Sequence, residues 1–421
     1  MQILDISSTA ISGTMFNLTA VDNKNEPYWV KFIEPHFSEI GIDIDVLPLS
    51  RIDKSQKWII NVDVLMHNWN PNVDAFASLG EQIINELAVG NAYLILNHQC
   101  ESFTKIFFKL LYDVLGAFPS IPHNKIIYMV AAADAHEKYD EFVTERGIGD
   151  DKKITIMFAH HVYKRFYSGQ AKLFDSPYVT KKGKKFLSLN RMAHSHRVAL
   201  VSLLAENDLL QHGYVSLGLT PDQLQSTEWN INGMLIPDNK NNKNNKNNKD
   251  IVLSGLNKIR DRLPLQIDPV DLSVNLFQLN SLPNHFYQDS YFSLVCSTFG
   301  FSDRESSVGF TEKEIKPILA KHPFVIYNLP GVLQHLRNMG FLTFSPWFDE
   351  SYDTERDDWT RLTKIVNEVK RLAAIPTDKW DSMILEMIPV MEHNYNRLVN
   401  YTTEHCFFNS DLKNLIYYVT K

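Results

Sequence analysis

The sequence predicts an α/β fold built from two units, each with a parallel sheet covered by helices on both faces. Three observations lead to this prediction. Short apolar runs alternate with helix-like segments in both halves of the chain, which is typical of parallel sheets. A polar, lysine-rich stretch lies between the halves. The length of 421 residues suits two or three domains of roughly 150 residues each.

In the first half, apolar runs of strand length alternate with segments of helical character. The runs predict strands at 58–66, 92–97, 125–133 and 153–158. The segments between them predict helices at 74–88, 102–116 and 134–146.

The second half repeats the alternation and ends in long helices. Strands are predicted at 185–190, 291–298 and 323–328. Helices are predicted at 197–208, 311–321, 330–340, 355–374 and 377–399. An asparagine–lysine repeat at 239–249 is polar and of low complexity, so we expect a mobile surface loop that buries nothing.

These patterns predict four parts of the chain. An N-terminal α/β domain spans 1–170, a linker spans 171–185, and a second α/β domain spans 186–375. C-terminal helices at 376–421 are expected to pack back across the domains. Ligands of such sheets bind at the carboxyl ends of the strands, so we expect the site in a cleft between the two facing domains.

Composition and charge exclude several classes of protein. The net charge is 42 − 49 = −7, which argues against a nucleic-acid coat protein but leaves room for a local basic groove. The three cysteines, Cys100, Cys296 and Cys406, are far apart and predict neither disulfides nor a zinc site. The sequence has no signal-peptide pattern and no membrane-spanning apolar run, so we expect a cytoplasmic protein.

The most informative segment is 308–341. Thr311 and Glu314 have the spacing of a capping box, which predicts a helix from Glu312. Lys313 then lies in the first turn, where a cation opposes the helix dipole unless an anion is nearby. Glu312 could accept hydrogen bonds from ribose hydroxyls. The alternative interpretation of this segment is a surface helix with scattered charges. Because Pro317 lies inside the predicted helix, we expect either a kink in the helix or a helix that begins later.

The second informative segment is 186–207. Asn190 and Arg191 follow a strand, and His196 and Arg197 open the next helix. The two arginines could bind phosphate oxygens as forks, or they could be solvated in a plain strand–helix turn. His194-Ser195-His196 lacks the further ligands of a metal site, so no metal is predicted there.

Five segments of the chain together resemble a group of phage and large-virus proteins. They are FLSLNR, HRVALVSLL, the helix that begins with Thr311-Glu312-Lys313 (the T-E-K helix), HPFVIYNLPGVLQHLRNMGFLTF and WFDESYD. These proteins are similar to GT-B glycosyltransferases, and the T-E-K helix resembles that of fucosyltransferase-like enzymes. The resemblance covers about 125–375 and is best over 186–207 and 308–353. No Walker A, G-x-G-x-x-G or G-x-S-x-G motif points elsewhere.

The resemblance implies two Rossmann-like domains and a nucleotide-sugar donor held mainly by the C-terminal one. It places Thr311, Glu312 and Lys313 on the ribose and diphosphate, and Arg191 and Arg197 near the phosphates. Basic side chains would then neutralise the leaving group without a metal, and no tightly bound cofactor is implied. Asp43-Ile44-Asp45 matches the metal motif of the other class, GT-A, but precedes any complete α/β unit.

An inverting enzyme also needs a base for the acceptor hydroxyl. His98 and Asp134 follow strands of the first half and are the candidates. Both have simpler interpretations, since His98 suits a structural histidine and Asp134 suits a helix N-cap.

The acceptor implied by the resemblance is a glycan, a protein or a hydroxymethylated base of viral DNA, in the host cytoplasm. A DNA acceptor needs a basic groove, and the sequence offers six side chains for one: Lys164, Arg165, Lys181, Lys182, Lys184 and Lys185. Two other classes remain open. One is a non-catalytic sugar- or nucleotide-binding or virion protein of the same fold. The other is a nucleotide-sugar epimerase, although no convincing acid pair is found for it.

Overall fold

A computed structural model describes most of the chain. The described residues are 2–7, 45–47, 49–63, 79–98, 105–132, 134–158, 181–224, 245–267, 285–298, 300 and 309–400. Their contacts divide them into a first unit, 2–158, and a second unit, 181–300 with 310–400. The predicted cleft would lie between the units, and the structure of each unit by itself does not test it. It stays a prediction.

The first unit contains a sheet of six parallel strands in the order β2-β1-β3-β4-β5-β6. The strands are β1 Gln2–Ser7, β2 Asp45–Val46, β3 Trp58–Asp63, β4 Ala92–His98, β5 Ile126–Val130 and β6 Thr155–Phe158. Every residue of β5 is buried, as expected for a strand covered on both faces. The sequence predicted the last four of these strands and missed β1. Its interpretation of Asp43-Ile44-Asp45 as a half-exposed strand meets β2 at Asp45, and residues 43 and 44 lie outside the described residues.

Three helices lie among the described residues of this unit, and their bounds are α1 Glu81–Ala88, α2 Ile106–Ala117 and α3 Ala135–Arg146. The predicted helix at 74–88 begins later, because Leu79 forms a turn and Gly80 is the N-cap with φ 86°; 74–78 lie outside the described residues. Helices α2 and α3 meet through the hydroxyls of Tyr112 and Tyr139, which are 2.7 Å apart.

The second unit contains a sheet of four parallel strands in the order β10-β9-β7-β8. Its strands are β7 Lys184–Ser188, β8 Gly213–Val215, β9 Ser290–Cys296 and β10 Phe324–Tyr327. Its helices are α4 Ser195–Glu206, α5 Asn245–Ile259, α6 His285–Gln288, α7 Glu312–Leu319, α8 Val332–Asn338, α9 Asp358–Ala373 and α10 Thr377–Val399. The predicted α/β class with parallel sheets in both halves is confirmed.

Helix α4 is buried on all sides, from His196 to Ala205. A helix without a polar face belongs to a core. Helix α5 packs closely against it, since a Cβ on Gly255 would overlap the Ser202 carbonyl oxygen.

The expectation that 239–249 buries nothing is wrong for its end. Residues 245–249 form the first turns of α5, and Asn248 is only 9% exposed. Asn248 precedes Val252 and Leu256 by four and eight residues, so all three lie on one helix face, and both apolar residues are buried. Residues 239–244 lie outside the described residues.

The long helix α10 packs on the second unit. The Trp380 indole stacks on the rings of Tyr291 and Phe292, with centroid distances of 5.1 and 5.7 Å. Its Nε1 donates to the Leu372 carbonyl at 2.9 Å. The rest of the segment predicted to cross between the domains, 401–421, lies outside the described residues. None of the helices described is long and apolar enough to cross a membrane.

Candidate anion-binding site

A pocket of about 220 Å³ lies in the second unit, beside the ends of β7 and β9 and the start of α7. Its apolar lining includes Leu187, Leu189, Leu265, Ile267, Leu294 and Val295. Four cationic side chains and one carboxylate also line it: Arg191, Arg197, Lys313, Lys316 and Glu312. This excess of positive charge over an apolar floor suits an anion that carries an apolar or planar group.

The start of α7 is fixed by the capping box that the sequence predicted. Thr311 Oγ1 accepts from the Lys313 N–H at 3.3 Å, and the Glu314 carboxylate accepts from the Thr311 N–H at 2.8 Å. The helix begins at Glu312 and contains Pro317, so the later start that the proline allowed is not found. Pro317 itself lines the pocket.

Glu314 holds α7 against the neighbouring strands. Its side chain is 1% exposed and accepts from Asn328 Nδ2 at 3.2 Å. The same amide nitrogen donates to Ser297 Oγ at 3.0 Å. The first turn of α7 is therefore tied to the residues that follow β9 and β10, which makes the helix start a rigid wall of the pocket.

Glu312 and Lys313 form an ion pair at the mouth of the pocket. Lys313 Nζ lies 2.6 Å from Glu312 Oε1 and 3.2 Å from Thr298 Oγ1. Burial acts to raise the pKa of Glu312, but the ammonium groups of Lys313 and Lys316 outweigh it and lower the pKa. Glu312 is thus a carboxylate at neutral pH.

Lys316 is a site residue that the sequence reasoning missed. Burial lowers its pKa, the Glu312 charge counteracts this, and the charges of Lys313 and Arg191 lower it further. Lys316 follows Lys313 by three residues, which places both on one face of α7. That spacing in T-E-K-E-I-K was the available signal.

Asn190 and Arg191 lie directly after β7, where the sequence placed them. The Asn190 N–H donates to Ser216 Oγ at 3.0 Å, and its carbonyl accepts from the Gly218 N–H at 2.9 Å. The Asn190 side chain is buried and donates to Ser188 Oγ at 3.1 Å. Asn190 therefore shapes the loop, and Arg191 reaches the pocket.

Gly218 makes this loop possible and was also missed. A Cβ at this position would overlap the Arg191 carbonyl oxygen. Glycine alone allows the two backbones to approach so closely. Because both residues line the pocket, this contact fixes one of its walls.

The side chains of His196 and Arg197 are turned to the protein backbone, so the solvated position considered from the sequence is wrong for Arg197, whereas Arg191 is partly exposed. Arg197 is 2% exposed, and its Nε and Nη2 donate to the Ser297 carbonyl at 3.2 and 2.9 Å. His196 Nε2 donates to the same carbonyl at 2.9 Å. Burial, assisted by the Arg197 charge, lowers the pKa of His196 to about 3.

The two candidate bases lie at the carboxyl end of the first sheet. His98 is 3% exposed, its Nδ1 is 2.9 Å from the Tyr128 hydroxyl, and burial lowers its pKa to about 4. Asp134 occupies the N-cap position of α3 but makes no side-chain capping bond. Its Oδ2 lies 3.7 Å from Lys138 Nζ, and its buried Oδ1 has no hydrogen-bond partner among the described residues.

Three lysines of the predicted basic groove are used within the fold, and the fourth described one, Lys181, is exposed. Lys182 Nζ donates to the Gln288 carbonyl at 2.7 Å, Lys184 Nζ to that of Gln211 at 2.8 Å, and Lys185 Nζ to that of Ile375 at 2.8 Å. Burial lowers the pKa of Lys182 to about 8. Lys164, Arg165 and Asp43 lie outside the described residues.

Glycosyltransferases are among the chain's structural neighbours. A UDP-forming α,α-trehalose-phosphate synthase from Burkholderia vietnamiensis is 9% identical, with 87% of this chain and 75% of that one covered and a TM-score of 0.42. A glycosyltransferase from Rickettsia africae ESF-5 is 12% identical, with coverages of 95% and 83% and a TM-score of 0.40. The similarity concerns the fold and does not extend to substrates.

A further neighbour is the N-terminal domain of trehalose-6-phosphate phosphatase from Candida albicans. It is 10% identical, with coverages of 93% and 74% and a TM-score of 0.41. No protein-family model and no curated protein matches the sequence.

Proposed function

We propose that this chain is a glycosyltransferase that binds a nucleotide-sugar donor in the pocket of the second unit. The observation that supports this proposal is the set of three cationic side chains, Arg191, Lys313 and Lys316, and one carboxylate around an apolar floor. A diphosphate needs cations and backbone N–H donors, which the arginine, the two lysines and the start of α7 supply together. The sequence motifs that resemble GT-B enzymes fall on the same residues.

The chemistry assigned to the pocket is neutralisation of a leaving group. In sugar transfer, the acceptor oxygen bonds to the anomeric carbon while the bond from that carbon to the diphosphate oxygen breaks. The electron pair stays on the diphosphate, and the acceptor proton passes to a base. Arg191, Lys313 and Lys316 stabilise the charge that develops on the diphosphate, which is the dominant electrostatic contribution in such reactions. These cations make a metal unnecessary in this proposal.

His98 and Asp134 are the two candidates for the base that takes the acceptor proton. Asp134 is the better of the two candidates, because its Oδ1 has no described partner. His98 is enclosed and already bonded to Tyr128. A role for His98 would require its ring to leave that contact.

Among acceptors, a glycan or a protein fits this chain better than a base of viral DNA. The DNA hypothesis depended on a groove of linker lysines, and three of these lysines donate to backbone carbonyls of the same unit. A cytoplasmic, viral enzyme acting on a glycan or protein is therefore the form of the proposal that we favour.

The first test is a thermal-shift screen of purified protein against nucleotides and nucleotide-sugars. A ligand at 100 times its dissociation constant should add about 2.7 kcal/mol of stability. Arg191→Ala should remove most of this shift, whereas Lys379→Ala, an exposed cation of α10 away from the pocket, should keep it. A chelator should leave the shift unchanged.

Two results would contradict the proposal. If no nucleotide stabilises the protein at millimolar concentration, the pocket is not a donor site. If a nucleotide-sugar binds but is neither transferred nor hydrolysed, the chain is a binding protein of the same fold.

A further inference from the structure

Among the described residues that line the pocket, the Glu312 carboxylate is the single acidic side chain. It lies beside three cations that are turned to the same space, and it pairs with the nearest of them at 2.6 Å. Its side chain and that of Lys313 are each 24% exposed, so the pair is partly shielded from water. A site built only to attract anions would gain by lacking this carboxylate.

We propose that Glu312 limits the number of negative charges that the pocket accepts. The inference rests on the proposed donor site and adds a selectivity to it. The carboxylate cancels one of the cationic charges, so each further negative charge on a ligand gains less from the field and is repelled by Glu312 itself.

The ion pair has a second consequence for how a ligand enters. Lys313 Nζ is held by Glu312 and by Thr298 Oγ1, so a ligand oxygen must compete with both for the ammonium. Lys316 follows Glu312 by four residues on the same face of α7, so it offers the carboxylate an alternative partner. The pocket can therefore exchange partners without leaving a carboxylate unpaired.

For a glycosyltransferase, this selectivity separates donor from product. In the donor, the terminal phosphate is esterified to the sugar. Once the sugar has left, the same phosphate carries an additional negative charge. Glu312 would then weaken retention of the nucleoside diphosphate relative to the nucleotide-sugar, which favours release.

The test uses inorganic anions, so it does not depend on knowing the nucleotide. Phosphate, pyrophosphate and tripolyphosphate carry progressively more negative charge at pH 8. Their dissociation constants are measured by calorimetry in metal-free buffer at constant ionic strength. In Glu312→Gln, the ratio of affinities between successive anions should exceed that of the wild type by about threefold to tenfold.

Two control variants keep the result specific. Glu312→Asp retains the charge and should retain the wild-type ratios. Glu386→Gln makes the same change of net charge on the exposed side of α10, at a residue that does not line the pocket. It should also leave the ratios unchanged. Thermal unfolding checks that each variant is folded.

The outcomes separate this inference from the proposed function. If wild type and Glu312→Gln bind the anions with the same ratios, the charge limit is overturned while the anion site stands. If the wild type binds none of the three anions, both the charge limit and the donor site are overturned. If the ratios shift as expected in a protein that transfers no sugar, the charge limit stands and only the enzyme assignment fails.

Discussion

Helices α4 and α7 both carry a cation near their start, but the two cations have different contacts. Each follows a strand of the second sheet, and each carries a cation in its first turns, Arg197 in α4 and Lys313 in α7. Arg197 is 2% exposed and its guanidinium binds the backbone after β9. Lys313 is 24% exposed and reaches the pocket. A cation in the first turn thus binds the backbone in one helix and lines the pocket in the other.

The difference lies in what surrounds each helix. Helix α4 is enclosed, so its polar side chains must find partners inside the protein. Helix α7 is buried through Ile315, Ile318 and Leu319 only on one side, and Glu312, Lys313 and Lys316 are partly exposed. The different burial of the two helices leaves Arg197 bonded to the backbone and Lys313 open to the pocket.

The largest effect should come from removing the structural cation. Arg197→Ala leaves the Ser297 and Met192 carbonyls without this donor and opens a cavity in the core. We expect the free energy of unfolding to fall by about 3 kcal/mol, as measured by urea denaturation. An unchanged stability would show that the guanidinium is not needed by the fold, and the contrast between the helices would be lost.

A somewhat smaller effect is expected at Gly218. In Gly218→Ala, the new methyl group overlaps the Arg191 carbonyl oxygen and must displace the loop. Stability should fall by roughly 1–3 kcal/mol, with weaker binding of pyrophosphate. Gly116→Ala in α2 is the matched control, because a Cβ there meets nothing within 4 Å. Urea unfolding should find the control as stable as the wild type or slightly more stable.

Removing Lys313, the cation that lines the pocket, should lower anion affinity and leave stability almost unchanged. This is the opposite of what we expect for Arg197. Lys313→Ala should change stability by less than about 0.5 kcal/mol, since partly exposed ion pairs contribute little. Pyrophosphate affinity should fall about tenfold, or 1.4 kcal/mol, by calorimetry. A variant that unfolds easily but keeps its affinity would assign Lys313 to the fold.

The smallest effect per residue concerns pH. Burial lowers the pKa of His196 and of His322 to about 3, and that of His98 to about 4. The unfolded chain takes up protons near pH 6.5, whereas the folded chain does not. Stability should therefore be complete above pH 6.5 and fall as the pH drops from there toward 3, by about 1 kcal/mol per histidine at pH 6.

The affinity of the pocket for an anion should not fall together with this loss of stability at low pH. The pocket is lined by arginine and lysine cations and by Glu312, whose pKa is lowered, so its charges persist at pH 6. Sulfate suits this measurement because its charge is constant over the range. A sulfate affinity that changed in step with urea stability between pH 7.5 and 6 would contradict the separation between the two helices.

The sequence predicted what local patterns determine. Buried strands such as β5 and β10 are continuous apolar runs, and the capping box at Thr311 is formed within four residues, so both could be recognised. The role of Arg197 could not, because its acceptor lies 100 residues further along the chain. Whether an arginine after a strand binds a ligand or a backbone carbonyl depends on tertiary neighbours that no local pattern encodes.

Two other misses had signals in the sequence. Lys316 shares a helix face with Lys313, and Asn248 shares one with Val252 and Leu256. In both cases the helical period continues past the end of a more conspicuous motif. That motif is T-E-K for Lys316 and the polar repeat for Asn248. Gly218 had no such signal, since its need for a missing side chain arises from the approach of a distant loop.

The asparagine–lysine repeat has a consequence for how this protein can vary in length. Its unit is Asn-Asn-Lys, and the last unit, ending at Lys249, supplies a buried residue of α5, Asn248. Adding or deleting a whole unit upstream leaves the residues before Asp250 identical, so Asn248 keeps its place on the packed face. Slippage during replication in steps of one unit would therefore be silent for the core, whereas a change of one residue within the final unit would rotate what precedes it by about 100° around the helix.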